Sequence, residues 1–207
     1  MNGVVVTGTD TGVGKSIVAA ALLLALARLA PAKRRRYWKP VQTGWPTDGD
    51  ARDVAALATL RPEEVVAPLA RLSLAASPHE AALREGTRAP SRFEAPPGTD
   101  DDEVVTIVEG AGGLLVPLDA TALQVDALGR LGLPFLLVAR PDVGTLNHTL
   151  LSVEALRARR LPLAGIVISR PATRAVRAAI EAFADVPVLE LPALASVDAA
   201  GLEAVVA

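Results

Sequence analysis

Three stretches of the chain carry residue types whose order and spacing suit phosphate chemistry. The first is Gly8-Thr-Asp-Thr-Gly-Val-Gly-Lys-Ser16. Its glycines allow backbone N–H groups to turn inward toward phosphate oxygens. Asp10, Thr11, Gly12, Val13 and Gly14 form the loop, and the helix that follows adds its dipole and free N–H groups. In such a loop the lysine, here Lys15, reaches the outer phosphates of a nucleotide, and the hydroxyl after it, here Ser16, binds Mg2+. The strict spacing is Gly-x-x-x-x-Gly-Lys-Ser/Thr. Here Gly8 stands one residue further from Gly14, and Thr9 occupies the usual first glycine position.

The second stretch is Val-Val-Thr-Ile-Val-Glu-Gly-Ala-Gly-Gly over 104–113, in which Glu109 closes an apolar run. Ligands of open α/β sheets bind at the carboxyl ends of strands. Glu109 is therefore expected in the same crevice as the loop, as a second Mg2+ contact. The third stretch, Tyr-Trp-Lys-Pro-Val-Gln-Thr-Gly over 37–44, places Lys39 at another strand end. A second ammonium there would stabilise charge moving onto a transferred phosphoryl group. Asp53 opens the next helical stretch, where it serves the helix dipole or completes the Mg2+ shell.

These residues need a scaffold, and the hydrophobic pattern supplies one. Short β-branched runs (3–7, 36–39, 104–109, 134–139, 163–169 and 186–191) alternate with Ala/Leu-rich helical stretches (16–30, 50–60, 121–131, 145–159, 173–183 and 197–206). Residues 114–118 extend the 104–109 strand or begin another. The alternation predicts βαβ units and one α/β domain over 1–207, a doubly wound, mostly parallel sheet with helices on both faces. Residues 61–102 break the rhythm with six prolines, Pro62, Pro68, Pro78, Pro90, Pro96 and Pro97, and the acidic run 100–103. They are expected to form an irregular surface excursion.

Composition narrows the chemistry further. The 207 residues include no cysteine, which excludes disulfides, thiolate metal sites and a cysteine nucleophile. Two histidines do not make a His-based metal cage. A net charge of −2 and a pI near 5.7 give no reason to expect nucleic-acid binding. Only 3% of residues are aromatic, too few for a base-stacking surface. The basic cluster 33–36 reads as a solvated helix–strand loop. Mean hydropathy is +0.36, but the longest apolar run ends at Arg28 after about 11 residues, short of the roughly 20 that span a bilayer. The N-terminus has no basic stretch before its apolar residues, so the expectation is a soluble cytoplasmic protein without membrane association.

Taken together, GTDTGVGKS at 8–16, KPVQTG at 39–44, SPHEAA at 77–82, VEGAGGLLVPL at 108–118 and GTLNH at 144–148 make the chain resemble the dethiobiotin synthetases of biotin biosynthesis. The resemblance spans nearly the whole chain. It implies a P-loop NTPase-like ligase that uses ATP and Mg2+ to carboxylate 7,8-diaminononanoate with CO2, supplied as bicarbonate. The carbamate takes the γ-phosphoryl group, and the second amine closes the ureido ring of dethiobiotin.

Carried onto this sequence, the family pattern gives catalytic roles to Lys15, Thr11 and Lys39, with Thr11 contacting both phosphates and substrate. Ser16, Asp53 and Glu109 would hold Mg2+, and Thr43 the substrate amine or carbamate. The family is a homodimer, in which Gly144, Thr145 and Asn147 would bind the substrate carboxylate in the neighbouring subunit's site. His148 and His79 are read as structural. Ser169 stands where many members carry an Asn that reads adenine, and Pro192 and Leu194 lie along the base's other edge. A hydroxyl cannot replace an amide's paired donor and acceptor, so CTP or another nucleoside triphosphate is an expected co-substrate beside ATP.

Two other P-loop classes fit less well. Amidotransferases of related fold use a cysteine nucleophile, which is absent. The ParA/MinD type of regulatory ATPase has a signature lysine where this chain has Asp10. Its basic amphipathic tail has no counterpart in 196–207, which contains Asp198 and Glu203 and neither Lys nor Arg.

Overall fold

The computed structural model describes residues 2–47, 49–99 and 101–206. The chain runs β1 (Asn2–Gly8), α1 (Lys15–Leu29), β2 (Arg34–Trp38), β3 (Val41–Gln42), α2 (Asp50–Leu57), β4 (Val65–Val66), β5 (Ala70–Arg71) and α3 (Pro78–Arg84). It continues through β6 (Val104–Gly113), α4 (Gln124–Gly129), β7 (Phe135–Ala139), α5 (Thr145–Ala158), β8 (Leu163–Ile168), α6 (Arg174–Ala184), β9 (Val188–Glu190) and α7 (Ala199–Val206). A seven-stranded sheet has the order β4-β2-β6-β1-β7-β8-β9, and each of its pairings is parallel.

Strands buried on both faces read as continuous aliphatic runs, and β1, β6, β7 and β8 are of that kind. Their alternate residues feed two apolar layers. Val6, Tyr37, Ile107 and Val138 face α1, together with Leu23, Val54 of α2 and Leu202 of α7. Val5, Trp38, Val108 and Phe135 face the other layer, with Ala81 of α3, Leu128 of α4, Leu156 of α5 and Ile180 of α6. The helices on both faces and the parallel strands match the expected doubly wound class.

The expected excursion 61–102 carries short ordered elements, a 3-10 turn (Pro62–Glu64), β4, β5 and α3. Each is two to seven residues long, below the length at which periodicity shows. β5 pairs in parallel with β3, which sequence patterning did not suggest either. Residues 114–118 form no strand. β6 runs through Gly113, and beyond it only a Pro117–Leu123 bridge is seen among the described residues.

The basic cluster is not a free loop: Arg34 opens β2 beside Val104. That register brings Lys33 within 3.1 Å of Glu103, pairs Arg34 with Asp101, and leaves Arg35 3.1 Å from Glu64. Asp100 of the acidic run lies outside the described residues. No helix among the described residues is long and apolar enough to cross a membrane.

Candidate functional site

β1 lies between β6 and β7, and its C-terminal end opens into the loop 9–14. Gly14 closes that loop as the residue preceding α1, at φ +99°. A Cβ there would sit 2.9 Å from Ser169 Cβ, so both conformation and space call for glycine. Within the loop, Lys15 donates across to the Asp10 carbonyl at 2.9 Å. The Asp10 carboxylate accepts from the Thr11 N–H at 2.7 Å and from Arg140 at 3.3 Å.

Strand register then delivers the acidic and second basic groups. β2 and β6 pair Trp38 with Val108, so the next residues, Lys39 and Glu109, come side by side on the α1 face. Glu109 is 1% exposed, Lys39 5% and Lys15 7%. Lys39 Nζ donates to Glu109 Oε1 at 2.9 Å and to Asp50 Oδ2 at 2.7 Å. Ser16 Oγ lies 3.0 Å from Glu109 Oε1 and 3.1 Å from Asp50 Oδ1. Gln42 donates to Asp50 Oδ2 at 3.1 Å and to the Thr43 carbonyl at 2.7 Å. Behind Glu109, the buried Tyr37 hydroxyl donates to Oε2 at 3.0 Å.

A cavity of about 660 Å3 opens over this cluster, with Thr11, Lys15, Lys39, Thr43, Asp50 and Glu109 in its wall. Residues 75–78 form its far side. There Ser77 caps α3 by accepting from the Glu80 N–H.

The electrostatics are those of a compact neutral cluster of two ammoniums and two carboxylates. Burial lowers the Lys15 ammonium to about 8, with Glu109 opposing the shift and Lys39 adding to it. For Lys39, burial acts downward, but the charges of Glu109 and Asp50 outweigh it and raise the group above its ordinary value. Asp50 shows the converse. Burial acts upward, yet the Lys39 charge and hydrogen bonds hold the carboxyl below its ordinary range. Burial, followed by the Glu109 charge, pushes the Tyr37 phenol well above its ordinary value.

The structure therefore brings together Thr11, Lys15, Ser16, Lys39, Thr43 and Glu109 as expected. Asp53 also borders the cavity, but its carboxylate is more than half exposed and lies 3.4 Å from Arg52. The acid on the Ser16 hydroxyl is Asp50, one helical turn earlier, which sequence reasoning passed over. Positions i and i+3 share a helix face, so the sequence showed two acids in reach of the crevice without choosing between them. Tyr37, Gln42 and Gln124 were also missed as supports. Gln124 accepts from the Ala111 N–H at 2.6 Å and donates to the Gly113 carbonyl at 3.0 Å, bracing the end of β6 beyond Glu109.

Ser169 packs on Gly14 at the loop's outer side, while Pro192 is exposed and Leu194 half-buried. Gly144, Thr145 and Asn147 are not among the described residues lining the cavity. The Thr145 N–H already bonds the Asp142 carbonyl at 3.0 Å, and its hydroxyl is buried against Thr149. Asn147 and His148 are exposed.

Ser16, Asp50 and Glu109 offer three hard oxygen donors around one point, and no larger His/Cys/Asp/Glu group fit for a metal exists among the described residues. That set suits Mg2+, which takes one or two carboxylates and completes its octahedron with water and phosphate oxygens.

A family model described as an AAA domain matches residues 2–200. The chain is 46% identical over 209 residues to the ATP-dependent dethiobiotin synthetase BioD of Paramagnetospirillum magneticum, covering 98% of this chain and 95% of that protein. It is 46% identical over 203 residues to the biotin biosynthesis bifunctional protein BioCD of Bordetella avium. That match covers 97% of this chain, and the chain spans 42% of the longer protein. A ParA family ATPase from Chlorobium tepidum shares the fold at TM-score 0.56 and 13% identity, covering 100% and 97% of the two chains. Chloroplast FtsY from Physcomitrella patens does so at 0.53 and 16%, covering 100% of this chain and 65% of that one. Likeness at those identities shows the fold alone.

Proposed function

Because this chain belongs to the dethiobiotin synthetase family, we propose that it converts 7,8-diaminononanoate, CO2 and a nucleoside triphosphate into dethiobiotin, nucleoside diphosphate and phosphate. The observation that carries the reading is Lys39, a buried ammonium on the cavity wall beside the phosphate loop. A phosphate-binding switch needs the loop and a metal set; a second buried lysine facing the same cavity suits a reaction in which an anionic acceptor meets the γ-phosphoryl group.

Each residue then has a task that its position allows. One amine of the substrate adds CO2 and loses a proton, giving a carbamate held by Lys39 and the Thr43 hydroxyl. Lys15 leaves the Asp10 carbonyl for the outer phosphates, and Thr11 and the loop N–H groups hold them. Ser16, Asp50 and Glu109 would hold Mg2+, which supplies charge neutralisation on the nucleotide. The carbamate oxygen displaces the nucleoside diphosphate from the γ-phosphorus. The second amine then attacks the carbamate carbon, phosphate leaves, and the ring closes. Positioning and fixed charge carry most of such a reaction.

We further infer a homodimer, in which Gly144, Thr145 and exposed Asn147 reach the substrate carboxylate in the neighbouring subunit's cavity. The base lies toward Ser169, Pro192 and Leu194. With a single short hydroxyl there, ATP, CTP and GTP are expected to support turnover within about tenfold of one another, a difference near 1.4 kcal/mol.

Purified protein with diaminononanoate, bicarbonate, Mg2+ and each nucleotide in turn tests the assignment. It stands on dethiobiotin formation with substrate-dependent phosphate release. It fails if no nucleotide gives either product. A monomeric mass for active enzyme by light scattering removes the dimer.

A further inference from the structure

We propose that Tyr37 is a positioning residue for the metal-bound nucleotide, its hydroxyl holding the Glu109 carboxylate so that Oε1 faces the Ser16 hydroxyl and the cavity. The proposal rests on the reading of Ser16, Asp50 and Glu109 as the Mg2+-holding set.

The two oxygens of Glu109 have separate partners. Oε1 accepts from Ser16 Oγ at 3.0 Å and from Lys39 Nζ at 2.9 Å, on the cavity side. Oε2 accepts from Tyr37 Oη at 3.0 Å, on the core side. The terminal torsion of a glutamate is soft, with a broad energy profile. A partner on each oxygen is what fixes its plane. The sheet explains how the partners straddle it. Tyr37 lies in β2 and Lys39, two residues on, directly follows it, so both project to the α1 face, and the Trp38–Val108 register sets Glu109 beside them.

Tyr37 is fully buried among Val6, Leu23 and Ile107, a place where phenylalanine would bring no polar group to satisfy. A buried phenol needs a hydrogen-bond partner, and here that partner is the carboxylate facing Ser16. The donor is neutral, so it orients Glu109 without cancelling the charge a divalent cation would meet. Lys39, by contrast, competes for that charge. With Oε2 engaged from behind, Oε1 is the oxygen presented toward the cavity, and contact with a cation is one-sided.

The test uses the full chain and Tyr37→Phe, which keeps the ring. Mn2+ binding to the protein loaded with a non-hydrolysable ATP analogue, followed by electron paramagnetic resonance, is expected to weaken about tenfold, the lower end for losing a partner of a metal ligand. Affinity for the same analogue without metal stays unchanged, because the phosphate loop is untouched. A purely structural role would shift the melting temperature and leave the metal titration alone; that result overturns the proposal. Glu109→Gln separates the two layers of the argument. If it leaves Mn2+ binding unmoved, the metal set itself is wrong and the Tyr37 role falls with it. If it weakens binding and Tyr37→Phe does not, Tyr37 alone is refuted.

A second readout needs no mutation. Tyr37 is the one tyrosine of the chain, so uniform 3-fluorotyrosine labelling gives a single fluorine resonance. Addition of Mg2+ to the nucleotide-loaded protein is expected to shift it, and a resonance that stays in place counts against the contact.

Discussion

Replacement of Lys39 by methionine removes a cation while keeping the stem's length. In the native cluster its ammonium lies 2.9 Å from Glu109 and 2.7 Å from Asp50, and both Lys39 and Glu109 are almost sealed from water. Breaking a buried pair by removing one partner costs roughly 3–5 kcal/mol. Glu109 keeps Tyr37 and Ser16, and Asp50 is one-third exposed, so the loss should sit at the low end, about 3 kcal/mol. For a chain of this size that is a fall in Tm of about 6–12 °C. The deficit should depend on pH. Without the ammonium, the burial that acts upward on the Asp50 carboxyl is no longer outweighed by the Lys39 charge, its folded pKa rises above the unfolded one, and the folded variant binds more protons. Its stability then falls as pH rises through that window, and the gap to wild type is smaller at pH 5 than at pH 7.5. In catalysis, loss of a group stabilising developing charge should lower kcat by about 10²–10³-fold, with nucleotide affinity changed far less. Thermal denaturation at the two pH values, nucleotide titration and steady-state kinetics give all three numbers. Normal turnover with weakened nucleotide binding would refute the role given to Lys39. An unchanged Tm at pH 7.5 would refute the electrostatic account of the cluster.

Further outcomes follow from the same geometry. With Lys15 lowered by burial to about 8, half of it is neutral near that pH. Phosphate binding restores the proton, so Mg-nucleotide binding should take up about half a proton at pH 8 and less at pH 7. Calorimetry in buffers of different ionisation enthalpy measures this, and proton release contradicts it. Asp50→Asn should raise the Mg2+ needed for half-maximal turnover by about 10-fold or more, and Asp53→Asn much less; the reverse order would return the metal to Asp53. Gly14→Ala forces a Cβ to 2.9 Å from Ser169 at φ +99°. It should cost at least about 1–2 kcal/mol and weaken nucleotide binding, and wild-type affinity together with wild-type Tm would show the loop to be softer than argued. On the acid side, Asp50, held below its ordinary pKa by Lys39 despite burial, adds stability that is present above the unfolded carboxylate range. It is lost as pH falls through the folded value, so Asp50→Asn should flatten the stability profile below about pH 4.

The sequence alone determined much of this protein, because the informative signals are local in the chain. The phosphate loop is contiguous at residues 8–16, lying between a β-branched run and a helix, so its residue types and spacing show in one short stretch of chain. The parallel sheet was legible for a similar reason. Strands covered on both faces need long aliphatic runs, and β1, β6, β7 and β8 have them. Lys39 could be placed at a strand end by counting alone, whereas Glu109, expected to close its strand, lies inside β6, which runs on to Gly113. What counting could not supply was which groups meet across strands. The β2–β6 register sets Lys39 beside Glu109 and puts Tyr37 behind it, and register is a property of two segments separated by about 70 residues. The choice of Asp50 over Asp53 for the Ser16 hydroxyl depends on where α2 enters the crevice, which is set by its packing on α1. The short pieces β3, β4, β5 and α3 escaped for a different reason. At two to seven residues they have no periodicity of their own, and their form comes from the backbone partners that the assembled sheet and cavity wall provide.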